Sequence, residues 1–199
     1  LRRLPAVFMT VALALLVAAM ARPRRGLTET KIRTEGVDIV IALDDSGSME
    51  AADFSAGGKP VSRLDISKRV IENFIAGRDE DQIGLVVFGT YAFTQCPLTV
   101  DYGVLERLLD RVRLGMLDGN RTAIGSALAV SLNRLRESKA KSRIVILLTD
   151  GNNNTGKIAP ETAAEMARTL GVKIYTIGVG STTPVQYRKG FNIYTIEPL

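Results

Sequence analysis

The hydrophobic pattern changes character along the chain. Residues 6–21 are apolar apart from Thr10, and residues 22–36 are charged with interspersed Pro and Gly. Beyond residue 37, short unbroken apolar runs alternate with stretches in which apolar residues return every three or four positions. Asp38-Ile-Val-Ile-Ala-Leu43, Gln82-Ile-Gly-Leu-Val-Val-Phe88 and Arg143-Ile-Val-Ile-Leu-Leu-Thr149 show no in–out alternation. Such runs predict strands buried on both faces, as in a parallel sheet. A further strand is predicted over 172–179, a short edge hairpin strand over 92–96, and another strand over 194–198. Helical spacing predicts helices over 63–76, 102–112, 123–136 and 160–170. Ser62, followed three residues on by Asp65, reads as the cap of the first, and Gly171 closes the last. Residues 51–60 read as a loop, as does Tyr187-Arg188-Lys189. Alternating strands and helices give an α/β fold, a doubly wound, Rossmann-like, mostly parallel sheet with helices on both faces. Residues 37–199 make this one domain, read as C-terminally incomplete because no helical pattern follows its last strand to close it.

The apolar N-terminal run, taken as residues 4–21 with a basic flank at 1–3 and a linker at 22–36, reads as a transmembrane helix. It sits at the short end of the ~20 residues a span needs. A cleaved signal peptide or a buried helix are the alternatives. Arg22-Pro23-Arg24-Arg25 argues against cleavage, because basic residues just after a cleavage site hinder export. The chain begins with Leu, so an upstream segment is expected. Two Arg before the run and three after it leave the orientation undecided by the positive-inside rule.

Charge adds little beyond this. The net charge is +5, but five of the 26 basic residues are Arg2, Arg3, Arg22, Arg24 and Arg25. Residues 26–199 carry 21 basic and 21 acidic residues. The globular part is neutral, so the basic excess is no sign of nucleic-acid binding. Histidine is absent and Cys96 is the only cysteine. That excludes Ser-His-Asp and Cys-His catalysis, zinc sites built on His or Cys, and an intramolecular disulfide. Cys96 reads as a small core residue, as do the Met residues, Phe74 and Phe93.

The chemistry gathers where predicted strands stop. Asp44-Asp45-Ser46-Gly47-Ser48 follows the first strand, Thr122 precedes the third helix of the domain, and Asp150 follows the strand ending at Thr149. Ligands in open parallel sheets bind at the carboxyl ends of strands. In Asp-x-Ser-x-Ser the first, third and fifth residues can face one way as the chain leaves the sheet. Asp44, Ser46, Ser48, Thr122 and Asp150 then form an oxygen-only donor set suited to Mg²⁺ or Mn²⁺. Two formal charges leave a divalent ion able to take another anionic oxygen, such as an Asp or Glu of a protein partner. Whether Asp44, Asp150 and Thr122 act directly or through water stays open, as does whether Asp45 faces outward or adds a third charge. Thr149 and Gly151 read as shaping the loop.

Two enzymatic readings compete with a binding module. Gly151-Asn-Asn-Asn-Thr-Gly156-Lys157 has the outline of a phosphate-binding loop, but Ile158 stands where Ser or Thr would hold Mg²⁺. Asp44 as a phosphoryl acceptor would want a second acid at position 46, which is Ser. The alternative to a non-enzymatic module is therefore a Mg²⁺-dependent nucleotide or phosphate hydrolase.

Asp-x-Ser-x-Ser, the distant Thr and the strand ending Thr-Asp-Gly resemble the metal-ion-dependent adhesion site (MIDAS) of von Willebrand factor type A domains. Asp81-Gln-Ile-Gly-Leu-Val-Val-Phe88, Phe93-Thr-Gln-Cys-Pro-Leu98, Thr122-Ala-Ile-Gly125 and Ile174-Tyr-Thr-Ile-Gly-Val-Gly180 resemble the membrane-anchored bacterial Bat (aerotolerance) type. So does the apolar run ending Ala21-Arg-Pro-Arg-Arg-Gly26. Asp45 departs from the apolar or Thr residue usual there, and Asn120-Arg121 lengthens the loop before Thr122. The resemblance implies an earlier membrane helix and a domain on the extracytoplasmic side of the bacterial inner membrane. It also implies partners among related membrane proteins of the same system and a role in envelope or oxidative stress tolerance.

Overall fold

A computed structural model describes residues 4–20, 36–117, 121–151, 153–181, 185–189 and 192–196. The chain divides into two units, Leu1–Arg33 and Thr34–Leu199. The first holds helix α1, Leu4–Met20, 17 residues without a charge. At 1.5 Å per residue it is ~26 Å long, below the ~30 Å of a hydrocarbon core. Among the described residues no helix is long and apolar enough to cross a membrane. The predicted basic flank, Ala21 and residues 22–35 of the linker lie outside the described residues.

The second unit is built on a five-stranded sheet. Its strands are β1 (Asp38–Asp44), β4 (Gln82–Phe88), β5 (Ala92–Thr99), β6 (Arg143–Thr149) and β7 (Lys173–Gly178), in the order β5-β4-β1-β6-β7. All neighbours are parallel except the β4–β5 pair. Every residue of β1 is buried, which explains its unbroken apolar run. Ile39, Ile41 and Leu43 pack on one face with Leu64, Ile71 and Ile75 of α2 (Arg63–Ala76) and Leu105 and Leu109 of α3 (Tyr102–Asp110). Val40 and Ala42 pack on the other with Ala127, Leu128 and Leu132 of α4 (Ile124–Leu135) and Ala163 and Ala167 of α5 (Pro160–Leu170). Each fully buried aliphatic side chain contributes roughly 1.5–3 kcal/mol, so β1 is held from both sides. Ser62 caps α2 as expected: its Oγ accepts from the Asp65 amide at 3.1 Å.

Four features differ from the sequence expectation. Residues 51–60 are not all loop: β2 (Phe54–Ala56) and β3 (Lys59–Val61) form a hairpin. Its two-residue turn, Gly57-Gly58, has φ of 59° and 77°, a left-handed backbone that glycine adopts at no steric cost. The edge strand β5 runs on to Thr99, with register shifts opposite Leu85. Tyr187-Arg188-Lys189 lies in β8 (Val185–Lys189), paired antiparallel with β9 (Asn192–Ile196). Of the methionines only Met49 is core; Met9, Met20, Met116 and Met166 are exposed. Cys96 is buried, and Phe74 and Phe93 pack against the core.

The strand order fixes where a site can form. The chain leaves β1 through α2 toward β4 on one side, while β6 lies on the other. The loops after β1 and β6 therefore diverge to opposite faces and leave a crevice between them, the usual ligand position in doubly wound sheets.

Candidate metal centre

β1 and β6 run in register, with Leu43 opposite Leu148, so Asp44 emerges beside Thr149 and Asp150. Asp44 is fully buried. Its Oδ1 accepts from the Ser46 amide at 2.8 Å, and its Oδ2 accepts from the Thr149 hydroxyl. Residues Gly47–Glu50 form a single 3-10 turn, which brings the Ser48 hydroxyl back to 3.1 Å from that of Ser46. Ser48 Oγ in turn donates to Asp150 Oδ1 at 2.6 Å. Four of the five residues named from the sequence are thus joined in one chain of contacts.

Thr122 completes the group. It is buried, and its Oγ1 would lie 3.7 Å from a Cβ built on Gly151, the residue after Asp150. Asn154 pins it there: Thr122 N donates to Asn154 Oδ1 at 2.8 Å, and Asn154 N donates to Thr122 O at 3.1 Å. Within residues 151–157 the Asn154 amide is therefore spent on the protein. The loop also packs hard against α4, since a Cβ on Gly125 would stand 1.9 Å from Ile158 O. Residues 118–120, which include the inserted Asn120, lie outside the described residues.

Asp45 neither faces outward nor adds charge to the cluster. It is fully buried and points to the turn after α3, accepting from Gly115 N at 2.9 Å and Leu117 N at 3.3 Å. Burial pushes its carboxyl up to about 6, against the pull of those amides. Asp44 is also pushed up to about 6, first by burial; the Thr149 and Ser46 hydrogen bonds oppose this, and the negative charge of Asp150 adds to it. A carboxylate held this far above its ordinary value is one that a cation would relieve.

Arg63 was not flagged by the sequence pattern. It opens α2, its side chain is 2% exposed, and its Nη1 donates to Asp150 Oδ2 at 2.9 Å. Nε and Nη2 donate to Asp53, the latter at 2.6 Å. Burial would lower the guanidinium pKa, but the bonds to Asp53 and then Asp150 raise it on balance. One sequence signal was available: a cation in the first turn of a helix opposes the helix dipole, so Arg63 needed another reason to be there.

The donors suit a hard cation. They are two carboxylates and three hydroxyls, all oxygen, and among the described residues no cluster of three or more His, Cys, Asp and Glu offers an alternative metal position.

The model of the von Willebrand factor type A domain matches residues 38–190. The chain belongs to this family. Its A domain resembles an uncharacterized protein of Borreliella burgdorferi, 37% identical over 175 residues, which cover 88% of this chain and 50% of the relative. The chain therefore spans about half the length of that curated relative. The crystal structure of an aerotolerance-related membrane protein from Bacteroides fragilis matches with a TM-score of 0.72 and 28% identity, covering 82% of each chain. The Bat-type resemblance holds in that structure. Proximal thread matrix protein 1 of the mussel byssus, in a form with a zinc-occupied MIDAS motif, matches with a TM-score of 0.61 and 27% identity. That match covers 73% of this chain and 36% of the mussel protein.

Proposed function

We propose that this A domain is a non-enzymatic, metal-dependent protein-interaction module held at a membrane by α1. Asp44, Ser46, Ser48, Thr122 and Asp150 hold one divalent ion, Mg²⁺ or Mn²⁺, and the ion takes an Asp or Glu carboxylate from a partner protein. The observation that carries the reading is the Ser46–Ser48–Asp150 chain of oxygens in the β1/β6 crevice, with Asp44 and Thr122 beside it. An ion in that crevice would replace weak O–H contacts by charge–oxygen contacts and relieve Asp44 of its buried, uncompensated charge. The mussel protein's zinc-occupied MIDAS motif supports a metal at a site of this kind. Its zinc leaves the identity of the metal here to experiment.

Membrane attachment through residues 4–21 rests on the uncharged run between two Arg-bearing flanks, and on the Bacteroides relative being a membrane protein. The domain then lies on the extracytoplasmic side of a bacterial inner membrane, serving related membrane proteins and envelope or oxidative stress tolerance. The non-enzymatic reading is supported by Asp44 and Asp150 both accepting hydrogen bonds within the crevice, which leaves them arranged as ligands for an ion.

The deciding experiment is capture of protein partners from detergent extract by wild type and Asp44→Ala, each in Mg²⁺ and in chelator. Partners retained only by wild type in Mg²⁺ support the reading. Equal capture in all four arms would place partners on another face. Carbonate washing should leave the protein in the membrane fraction; release, or a mature N-terminus near Arg22, would favour the signal-peptide alternative.

A further inference from the structure

Asp150 uses its two oxygens differently. Oδ1 accepts from Ser48 and faces the crevice, whereas Oδ2 is taken by Arg63 at 2.9 Å. Behind Arg63 stands Asp53, whose oxygens accept from Nε and Nη2. Asp53 Oδ2 also accepts from the Ser181 amide at 3.1 Å, which anchors the chain just past β7. The three side chains are almost wholly buried, with 0–3% of each exposed. Taking a charge out of water is costly, and an apolar residue of similar size would pack as well without that cost. The trio therefore needs a role beyond packing.

The geometry points to Arg63 as the positioning residue and resident counter-ion of the metal centre. Its planar fork bridges two carboxylates at once, which a lysine cannot do. By holding Oδ2 it turns Oδ1 toward Ser48, so Asp150 presents one oxygen to an ion rather than two. By neutralising Asp150 it keeps the crevice assembled when no cation is there. The same positive charge repels an incoming dication and so limits how tightly the site holds it. Asp53 offsets part of that repulsion. The result is a cation site that survives emptying and exchanges its ion, in place of one that needs the ion in order to fold. This inference rests on the metal reading proposed above.

Charge balance and simple structural support predict different signs, and Mn²⁺ binding to the full chain in mild detergent separates them. Mn²⁺ is followed by paramagnetic resonance and stability by thermal melting in chelator. Arg63→Met is expected to melt about 10 °C lower in chelator yet to bind Mn²⁺ at least about tenfold more tightly. Asp53→Asn, which leaves Arg63 less compensated, is expected to bind several-fold more weakly. Arg63→Lys, which keeps the charge without the fork, should bind no more tightly than wild type. The double variant Arg63→Met/Asp53→Asn removes one charge of each sign and serves if Arg63→Met alone fails to fold; it too should bind more tightly than wild type. Loss of Mn²⁺ affinity in Arg63→Met and the double variant would overturn the inference that the charge of Arg63 limits the hold on the ion, and leave Arg63 only as a support for Asp150. A wild type that binds no Mn²⁺ would overturn the metal reading as well, whereas normal wild-type binding with untightened variants would overturn this inference alone.

Discussion

The β1–α2 connection has a buried acid, Asp44, at its start, and at its other end Arg63 holds a second acid, Asp53; the two ends solve the same problem in opposite ways. At its start, Asp44 accepts from one amide and from the Thr149 hydroxyl, and among the described residues no cation bonds to either oxygen. At its end, the guanidinium of Arg63 meets Asp53 and is shared with Asp150, so the charge of Asp53 is compensated within the chain. Both acids are out of water, so both need compensation. One end supplies it from the chain, and the other leaves it to be supplied from outside. The comparison teaches that burial of an acid does not itself mark a binding site. What marks it is a buried acid whose neighbours are neutral oxygens.

The sharpest way to break the contrast is to remove the open end. Asp44→Ala is expected to weaken Mn²⁺ binding by at least about 100-fold while the β1 core keeps the domain folded. Saturating Mn²⁺ should raise the melting temperature of wild type by about 5–10 °C and leave that of Asp44→Ala unmoved. Calorimetric titration and melting curves check both. A variant that keeps its metal-induced shift would mean that the ion sits elsewhere.

A smaller effect is expected one step away from the oxygens. Asn154 Oδ1 accepts from the Thr122 amide, so Asn154→Ala removes that bond and should displace the Thr122 hydroxyl, costing about tenfold in Mn²⁺ affinity. Thr122→Ala should cost a similar amount, and the double variant little more than either. Additive losses would show that Asn154 acts through something other than Thr122.

Ser48→Ala should cost less, about threefold, because water can stand in for one hydroxyl. The variant's titration in Mn²⁺ against wild type gives the ratio, and a loss as large as that of Asp44→Ala would make Ser48 indispensable.

The smallest effect concerns Asp45, which lies beside the open end but behaves like the closed one, its charge met by amides of the turn after α3. Its carboxyl is raised from 3.8 to about 6. The folded state therefore favours the protonated form. This contribution to stability is complete below pH ~4, and is lost as pH rises through about 6. Asp45→Asn removes it. In chelator, the melting temperature of the variant relative to wild type should climb by on the order of 3 °C between pH 4 and pH 7. A difference independent of pH would mean that Asp45 is ionised throughout that range. Because Asp45 points away from the crevice, the same variant should leave Mn²⁺ affinity at pH 7 within about twofold of wild type.

Much of the fold was legible in the residues, for a physical reason. Parallel strands covered on both faces must be apolar without alternation, so β1, β4 and β6 could be placed nearly to the residue. Amphipathic helices must repeat near 3.6, so α2 and α5 were placed to the residue. The hairpin at β2–β3 was missed because three-residue strands carry too little pattern, although Gly57-Gly58 held the turn signal. β8 was missed because Tyr187-Arg188-Lys189 reads as polar whether it is paired or not. Four of the five candidate ligands were legible because they follow the apolar runs of β1 and β6, whose ends fall together in a parallel sheet; Thr122, in the loop before α4, follows no such run.

By itself, then, the sequence determined the sheet, the layer on each face and which oxygens lie at its carboxyl edge, since these follow from periodic exclusion of water along the chain. Only the tertiary structure decided how the buried charges pair. Arg63 meets Asp150 across 87 positions, Ser48 meets Asp150 across 102, and Asp45 meets Gly115 across 70. A buried charge takes whichever partner the loops bring within about 3 Å. That proximity is set by the crossing of separate strands and helices, and no local pattern encodes it.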